Sequence, residues 1–420
     1  MVANTKEGKT LLILGSLSEF VRLTHMAKDR GWRTIVCDGY PDGQAKAFAD
    51  RSYDIDVRDI PALATMAKEE KVDAIITSFS DLLFETMVKT AGAAGLPCYM
   101  TEEQLPYYRD KNRMKELLLQ LGISTPAYAM IQEDFTPDNL KELHFPVVTK
   151  PVDMYGSRGL YVLHSAEEVR KYFKEACASS GRKEILVEEY NTGYEFNLMS
   201  WVHKGEIHIL GIADREKSPT GNHSIPVSTR NIYPSRLIQQ VYEPALSILK
   251  KYIAATGQKE GALSMQFFWQ PGEEVSVCEI AGRFLGYEHE LIEYSSGICL
   301  EELLLNYAAG DEKAIEAQLN AHSAFSENSS AVVYFQGRPG IIENINAASD
   351  VASWPEIAFS QLFCQKGDLI GSQPYVARYY INGKRDWIDQ ISQKVIDHMT
   401  VLDKEGTELL YQNKIPNYPE

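Results

Sequence analysis

The sequence predicts a multidomain chain in which an open parallel α/β unit precedes α+β structure built on antiparallel sheets. Three observations predict this. Residues 10 to about 100 alternate short β-rich runs with helix-length amphipathic segments. Two long hairpin patterns occupy the middle of the chain. The length, 420 residues, exceeds the roughly 250 that a single core commonly holds.

In chain order, LLILG (11–15), TIVCDG (34–39) and DAIITS (73–78) read as strands joined by crossover helices. The first runs into Gly15-Ser16-Leu17-Ser18, which lacks the three-glycine dinucleotide fingerprint. Asp38 stands about where a ribose-binding acid would, yet without those glycines it reads as an acid that ends a strand. Prolines between 97 and 107 mark a boundary near 105. A helix then opens at Asp110 and sets Met114, Leu117, Leu118 and Leu121 on one face. From Phe145 the rhythm becomes strand, glycine loop, strand (PVVTKP, YGSRG, LYVLH), followed by a helix with a capping box from Ser165 to Glu168. The hairpins follow: FNLMSWV with IHILGIA, then LSMQFFWQ with VSVCEIA. After Arg283 a helical stretch, LEELLLNYAAG, leads to a Ser- and Asn-rich link near 323–330 and a small C-terminal lobe.

Composition narrows the function classes. Apolar residues make up 44% and charged residues 24%, and no apolar run approaches the roughly 18 residues that cross a bilayer. The start, MVANTKEGKT, carries neither a signal-peptide core nor an Arg-rich transit helix, so the expected address is the cytoplasm. Six scattered cysteines, with no C-x-x-C pair, read as reduced packing residues. A net charge of −16 repels nucleic acid in bulk, so a phosphate site must be a local basic patch for a small ligand.

Three segments carry chemistry. In FPVVTKPVDMYGSRGLYV (145–162), Lys150 ends a strand and Gly156, Ser157, Arg158 and Gly159 form a loop whose backbone N–H groups can surround phosphate. Lys150 is expected to face that phosphate and not the core. In EILVEEYNTGYEFN (184–197), a strand beside an apolar slot can read the polar edge of adenine through a hinge at Glu188, Glu189 and Tyr190, and Glu195 can hold ribose hydroxyls. In GALSMQFFWQPGEEVSVCEIAGRFLG (261–286), a four-residue loop would pair Gln270 with Val275 and set Gln266 opposite Glu279. Two oxygen donors on one sheet face can meet a hard cation, and Arg283 offers planar donors to phosphate or carboxylate. The polar loop SPTGNHSIPVSTR adds His223 and Arg230 as cations for a substrate carboxylate, or as parts of a surface lid.

The order of these segments, with Asp110-Lys111 opening a helix before them, resembles the ATP-grasp superfamily, and most closely its stand-alone carboxylate–amine ligases and carbamoyl-phosphate-synthase-like members. The resemblance implies a pre-ATP-grasp parallel α/β domain (1–104), a two-lobed nucleotide-clamping and catalytic region (105–310) and a C-terminal α+β lobe (311–420). It implies that Lys111, Lys150 and the glycine loop hold ATP phosphates, that Glu188, Glu189 and Tyr190 face adenine, and that Glu195 holds ribose. Magnesium, or manganese in its place, would sit on Gln266 and Glu279, with Arg283 at the acyl phosphate. Catalysis would then rest on Arg283, Lys150 and Glu279. The implied activity joins a small-molecule carboxylate to an amine and releases ADP and phosphate, without nucleic acid or membrane, in a chain able to form a homodimer. Gln266 replaces an acid of the family pattern, and Ala281 an asparagine. Alternatives are a bicarbonate- or formate-activating relative, a nucleotide-binding protein without turnover, and an NAD-dependent dehydrogenase, the last disfavoured by the missing glycines.

Overall fold

The computed structural model describes residues 8–151, 160–178, 183–221, 224–286, 288–371, 374–416 and 418. The opening runs form a parallel sheet of β1 (Thr10–Leu14), β2 (Arg33–Cys37), β3 (Arg51–Tyr53) and β4 (Ala74–Ile76), in the order β3-β2-β1-β4. All five residues of β1 are buried, and the last four, Leu11 to Leu14, form a continuous apolar run and not an alternating one. Gly15 turns the chain out of β1 at φ +113°, where a Cβ would lie 2.3 Å from the Phe20 ring. Beyond it, the backbone N–H and hydroxyl of Ser16 donate to Asp38 at 3.0 and 3.1 Å. Asp38 thus closes the strand ends, as an acid ending a strand should.

Helices α1 (Val21–Asp29), α2 (Ile60–Glu69) and α3 (Asp81–Ala94) belong to this unit. The Ser80 side chain caps the start of α3, and Gly95 ends it in the left-handed conformation. A short α4 (Pro106–Arg109) precedes α5 (Lys111–Gln120), whose first N–H groups are capped by the Asp110 carboxylate. Its inner face buries Met114 and Leu118, with Leu117 and Leu121 partly buried, as the periodicity predicts. It also buries Lys115, which the periodicity did not reveal.

A second sheet, β5 (Tyr128–Gln132), β6 (Val147–Pro151), β7 (Val162–Leu163) and β8 (Glu184–Glu189), is antiparallel in the order β5-β8-β6-β7. Helix α6 (Ala166–Cys177) covers it through Val169 and Phe173, which pack with Val147, Ile185 and Val187 in a separate core. Ser165 caps α6, but Glu168 reaches back to the N–H of His164, one residue before the position a capping box uses.

The hairpin segments lie in one eight-stranded antiparallel sheet. The strands from here on are β9 (Tyr194–His203), β10 (Glu206–Ser218), β11 (Val227–Tyr233), β12 (Gly261–Trp269), β13 (Ser276–Ala281), β14 (Ser329–Gln336), β15 (Gly340–Ile341), β16 (Phe359–Leu362), β17 (Leu369–Ile370) and β18 (Tyr375–Gly383), all but β15 and β17 belonging to this sheet. The order is β13-β12-β9-β10-β11-β14-β18-β16, and β15 and β17 form a separate ribbon. Strands after residue 311 therefore extend the sheet laid down by the middle of the chain. Lys204 and Gly205, at φ +53° and +78°, make the tight turn between β9 and β10. The remaining helices are α7 (Ile238–Thr256), α8 (His289–Ser296), α9 (Leu300–Ala309), α10 (Glu312–Ala321), α11 (Asn346–Ala352) and α12 (Arg385–His398).

Two buried ionic clusters join these layers. Arg230, considered in the sequence as a cation for substrate, is 1% exposed and holds both oxygens of Glu216 at 2.8 Å. It also reaches Asp389 and Ser392 on α12, at 2.7 and 3.1 Å. Its donors therefore fasten α12 to the sheet, because a buried guanidinium needs its counter-ions. His223 lies outside the described residues.

The second cluster is His289, held at 2.7 Å by Glu301 and 2.9 Å by Glu290, with its ring centroid 4.5 Å from that of Phe79 in the first unit. Burial disfavours the imidazolium, but Glu301 and Glu290 outweigh it and push the pKa up from 6.5 to about 10. A group raised on folding stabilises fully below its unfolded pKa, and the contribution is lost as pH rises through the folded value. The melting temperature should therefore fall as pH rises from neutrality towards about 10. His289→Gln should flatten that decline in thermal melts, and an unchanged profile would remove His289 as its source.

Candidate active site

The C-terminal end of the parallel sheet, the start of α5, strands β6 and β8, and the β9, β10, β12 and β13 region surround a cavity of about 780 Å³. That volume suits a nucleotide together with a small second ligand. Lys111, Lys150, Glu188, Glu189, Tyr190, Glu195, Gln266, Glu279 and Arg283 all line it, so six helices and strands distant in sequence converge on one space. Gly156, Ser157, Arg158 and Gly159 lie outside the described residues.

Lys150, at the end of β6, places its Nζ 2.5 Å from one Glu188 oxygen, while Lys115 from α5 approaches the other at 3.1 Å. The carboxylate is therefore flanked by two cations, and the triad carries one surplus positive charge beside the cavity. Lys150 is partly turned to the core by this pairing and does not face phosphate alone. Burial disfavours its charge, but the Cys278 sulfur and Glu188 more than offset that, and its pKa is raised. Lys115 also donates to the Thr125 hydroxyl at 2.7 Å. Burial dominates there and lowers its pKa.

The hinge departs from expectation in its side chains. The Glu188 carboxylate is spent on lysines, and that of Glu189 turns outward to His144, 2.8 Å away. The N–H groups of Glu189 and Tyr190 are taken by the carbonyls of Ala127 and Pro146, both at 2.9 Å. Tyr190 still borders the cavity.

Glu195 is corrected in the same way. It is buried against Arg215, Lys217 and the Gln266 amide, so it organises cations and does not present an open acceptor to ribose. Arg215 and Lys217 lie on alternate positions of β10, and both line the cavity. The sequence reading missed both, although the alternation Arg215, Lys217 was visible within ADREKS.

Gln266 pairs directly with Glu279, as expected, but not through the expected loop. The register shifts between Gln266 and Phe267, where Cys278 is the extra residue of a β-bulge, and Phe267 then pairs with Val277. The predicted Gln270–Val275 pairing is thereby displaced. The bulge brings the Cys278 sulfur to 3.5 Å from the Lys150 Nζ. The Glu279 carboxylate makes no hydrogen bond or ion pair with the described residues. Gln266 gives its Nε2 to Glu195, which leaves its carbonyl oxygen as an acceptor. Two hard oxygen donors at one end of a polar cavity fit magnesium. No group of three or more His, Cys, Asp or Glu forms a metal cluster among the described residues.

Arg283 is also committed. Its Nε and Nη2 hold the two oxygens of Asp81, at the start of α3, at 2.8 and 2.7 Å. Burial pushes the Asp81 carboxyl up, but Arg283 more than offsets this and holds it below the ordinary carboxylate range. The arginine expected at an acyl phosphate therefore rests in a bidentate pair that bridges the first unit to the β13 end.

A parallel α/β unit followed by two antiparallel sheets around a lysine-lined cavity is the arrangement that the ATP-grasp resemblance implied. Residues 143–289 match the family model described as "ATP-grasp domain". Among similar proteins, the carbamoyl phosphate synthase large chain of Clostridium beijerinckii is 28% identical over 299 residues, 67% of this chain and 26% of that protein. The formate-dependent phosphoribosylglycinamide formyltransferase of Methanocella arvoryzae is 30% identical over 189 residues, 44% of this chain and 43% of that protein. The chain thus spans about a quarter of the length of the carbamoyl phosphate synthase chains it matches. Among solved structures, an L-amino acid ligase from Bacillus licheniformis superposes with a TM-score of 0.78 at 17% identity, covering 95% of this chain and 100% of that one. No helix of the described residues is long and apolar enough to cross a membrane.

Proposed function

We propose that the protein is an ATP- and magnesium-dependent carboxylate–amine ligase. The observation that carries this reading is the convergence of Lys150, Lys111 and the Gln266–Glu279 pair on one cavity. In this reading Lys111 and Lys150 hold the ATP phosphates. Lys217 and Arg215, anchored by Glu195, add fixed positive charge to the same wall. Gln266 and Glu279 would hold magnesium, which supplies charge neutralisation at the terminal phosphates when bound.

A substrate carboxylate oxygen attacks the γ-phosphorus, the bond to the β-phosphate bridging oxygen breaks, and ADP leaves. The amine then attacks the acyl carbon, phosphate departs, and the amine's proton is lost to solvent or a base. Arg283 serves the acyl phosphate by exchanging part of its Asp81 pairing for the new anion, and no covalent protein nucleophile is required. The names of the similar ligases support C–N bond formation.

The chemistry predicts ADP and phosphate in one-to-one ratio with amide, and no AMP or pyrophosphate. Nucleotide analysis of quenched reactions, run across a panel of carboxylates and amines, tests it. AMP with an acyl-adenylate would overturn the γ-phosphoryl mechanism, and nucleotide binding with no turnover on any pair would favour the non-catalytic reading. Cytoplasmic action as a homodimer belongs to the same proposal.

A further inference from the structure

Three acids that line the cavity are buried: Glu188, Glu195 and Glu288. Glu188 carries two lysines, and Glu195 carries Arg215 and Lys217. Glu288 forms no ion pair among the described residues. Its Oε1 accepts from the amides of Asn197 at 2.7 Å and Asn231 at 2.8 Å, and its Oε2 accepts from the Tyr233 hydroxyl at 2.6 Å. Three neutral donors orient this carboxylate without cancelling its charge. Burial accordingly pushes the carboxyl up, against the pull of Tyr233, Asn197 and the more distant Arg215. A buried carboxylate is costly unless a cation joins it.

The surroundings indicate what the rest of that cation looks like. Asn231 also donates to the Tyr334 hydroxyl at 3.2 Å, which places Tyr334 next to the carboxylate. Tyr334 and Tyr375 both line the cavity, and both stand against the buried Arg378 guanidinium, 5.6 and 4.7 Å from its carbon. That contact fixes the two rings as a rigid aromatic wall. The wall is built from β14 and β18, which stand five and six places along the sheet from β13, the strand whose Cys278 meets Lys150.

We propose that Glu288 is the recognition group for the ammonium of the second substrate, and that Tyr334 and Tyr375 accept an apolar or aromatic substituent on it. This rests on the ligase reading and assigns that reading's amine to a class: a primary amine carrying an apolar side chain, not ammonia. Of the cavity's carboxylates, Glu279 is left for the metal and Glu288 for the organic cation.

The test uses the full chain and three probes, phenethylamine, 2-phenylethanol and ethylamine, titrated by calorimetry or ligand-observed NMR. Phenethylamine should bind at least tenfold more tightly than the neutral alcohol, which lacks the charge, and than ethylamine, which lacks the ring. Glu288→Gln should bring phenethylamine and 2-phenylethanol to equal affinity, and Tyr334→Ala should erase the advantage over ethylamine. Equal binding of the three probes to the unaltered protein, or binding of none, overturns the proposal without recourse to either variant. Titration with a non-hydrolysable ATP analogue and magnesium runs in parallel. Normal nucleotide binding with no amine preference sinks this inference alone, whereas absent nucleotide binding sinks the ligase reading while amine selectivity is scored separately.

Discussion

Glu279→Gln is expected to reduce ADP release by at least about a hundredfold, the scale on which a single preorganised charge-stabilising group acts. Gln266→Glu should be tolerated. The two residues face each other across β12 and β13, yet only Glu279 brings a full charge. Hard divalent cations are held more tightly as carboxylates are added. Magnesium should therefore bind weakly to the protein alone and much more tightly with a non-hydrolysable ATP analogue, whose phosphates supply the missing oxygens. Gln266→Glu places a second acid against Glu195, with which Gln266 now shares its amide. Its gain in metal affinity should consequently be smaller than an isolated added carboxylate would give. Calorimetry with and without the analogue, and steady-state ADP release for both variants, read these effects. Normal turnover by Glu279→Gln would return the hairpin to a structural role.

Much of this arrangement was legible in the sequence because strand periodicity and loop chemistry are local. The parallel sheet followed from three apolar runs, and the α5 cap from Asp110. Gln266 facing Glu279 followed from counting outward from the turn, but the count succeeded for the wrong local reason. The bulge at Cys278 sits between the turn and the pair, and periodicity alone does not reveal a bulge. What was not legible was charge partnership. Arg283 reads as a free planar donor for phosphate or carboxylate until α3 brings Asp81 to it, across about two hundred residues of chain. Lys115 reads as a polar position on an amphipathic helix until β8 presents Glu188. Arg230 seemed free for substrate because Glu216 and Asp389 are brought to it only by the sheet and α12. Glu288 carried no signal, since its significance lies in the absence of a cation among neighbours that only the fold assembles.

Lys150→Ala should weaken binding of an ATP analogue by about ten- to a hundredfold, from the loss of a charge-assisted phosphate contact worth about 1.5 to 3 kcal/mol. The effect on stability should be small, for a reason that the Glu188 triad supplies. Removing one partner of a buried ion pair commonly costs about 3 to 5 kcal/mol because the other charge is left uncompensated. Here Lys115 remains 3.1 Å from Glu188 when Lys150 is gone, so the surviving pair is neutral. Glu188→Gln has the opposite consequence. It leaves two ammonium groups close together without the carboxylate between them, Lys115 1% exposed and Lys150 16% exposed at the side chain. That variant should lose several kcal/mol of folding stability, with about 3 to 5 as the reference scale. Thermal or urea melts of the two variants, alongside nucleotide titration, separate the roles. Lys150→Ala should retain nearly the parental melting temperature with impaired nucleotide binding, and Glu188→Gln should show a lowered melting temperature. If Lys150→Ala melted as early as Glu188→Gln while still binding the analogue normally, Lys150 would be a structural counter-ion and the phosphate-holding role would pass to Lys111 and Lys217.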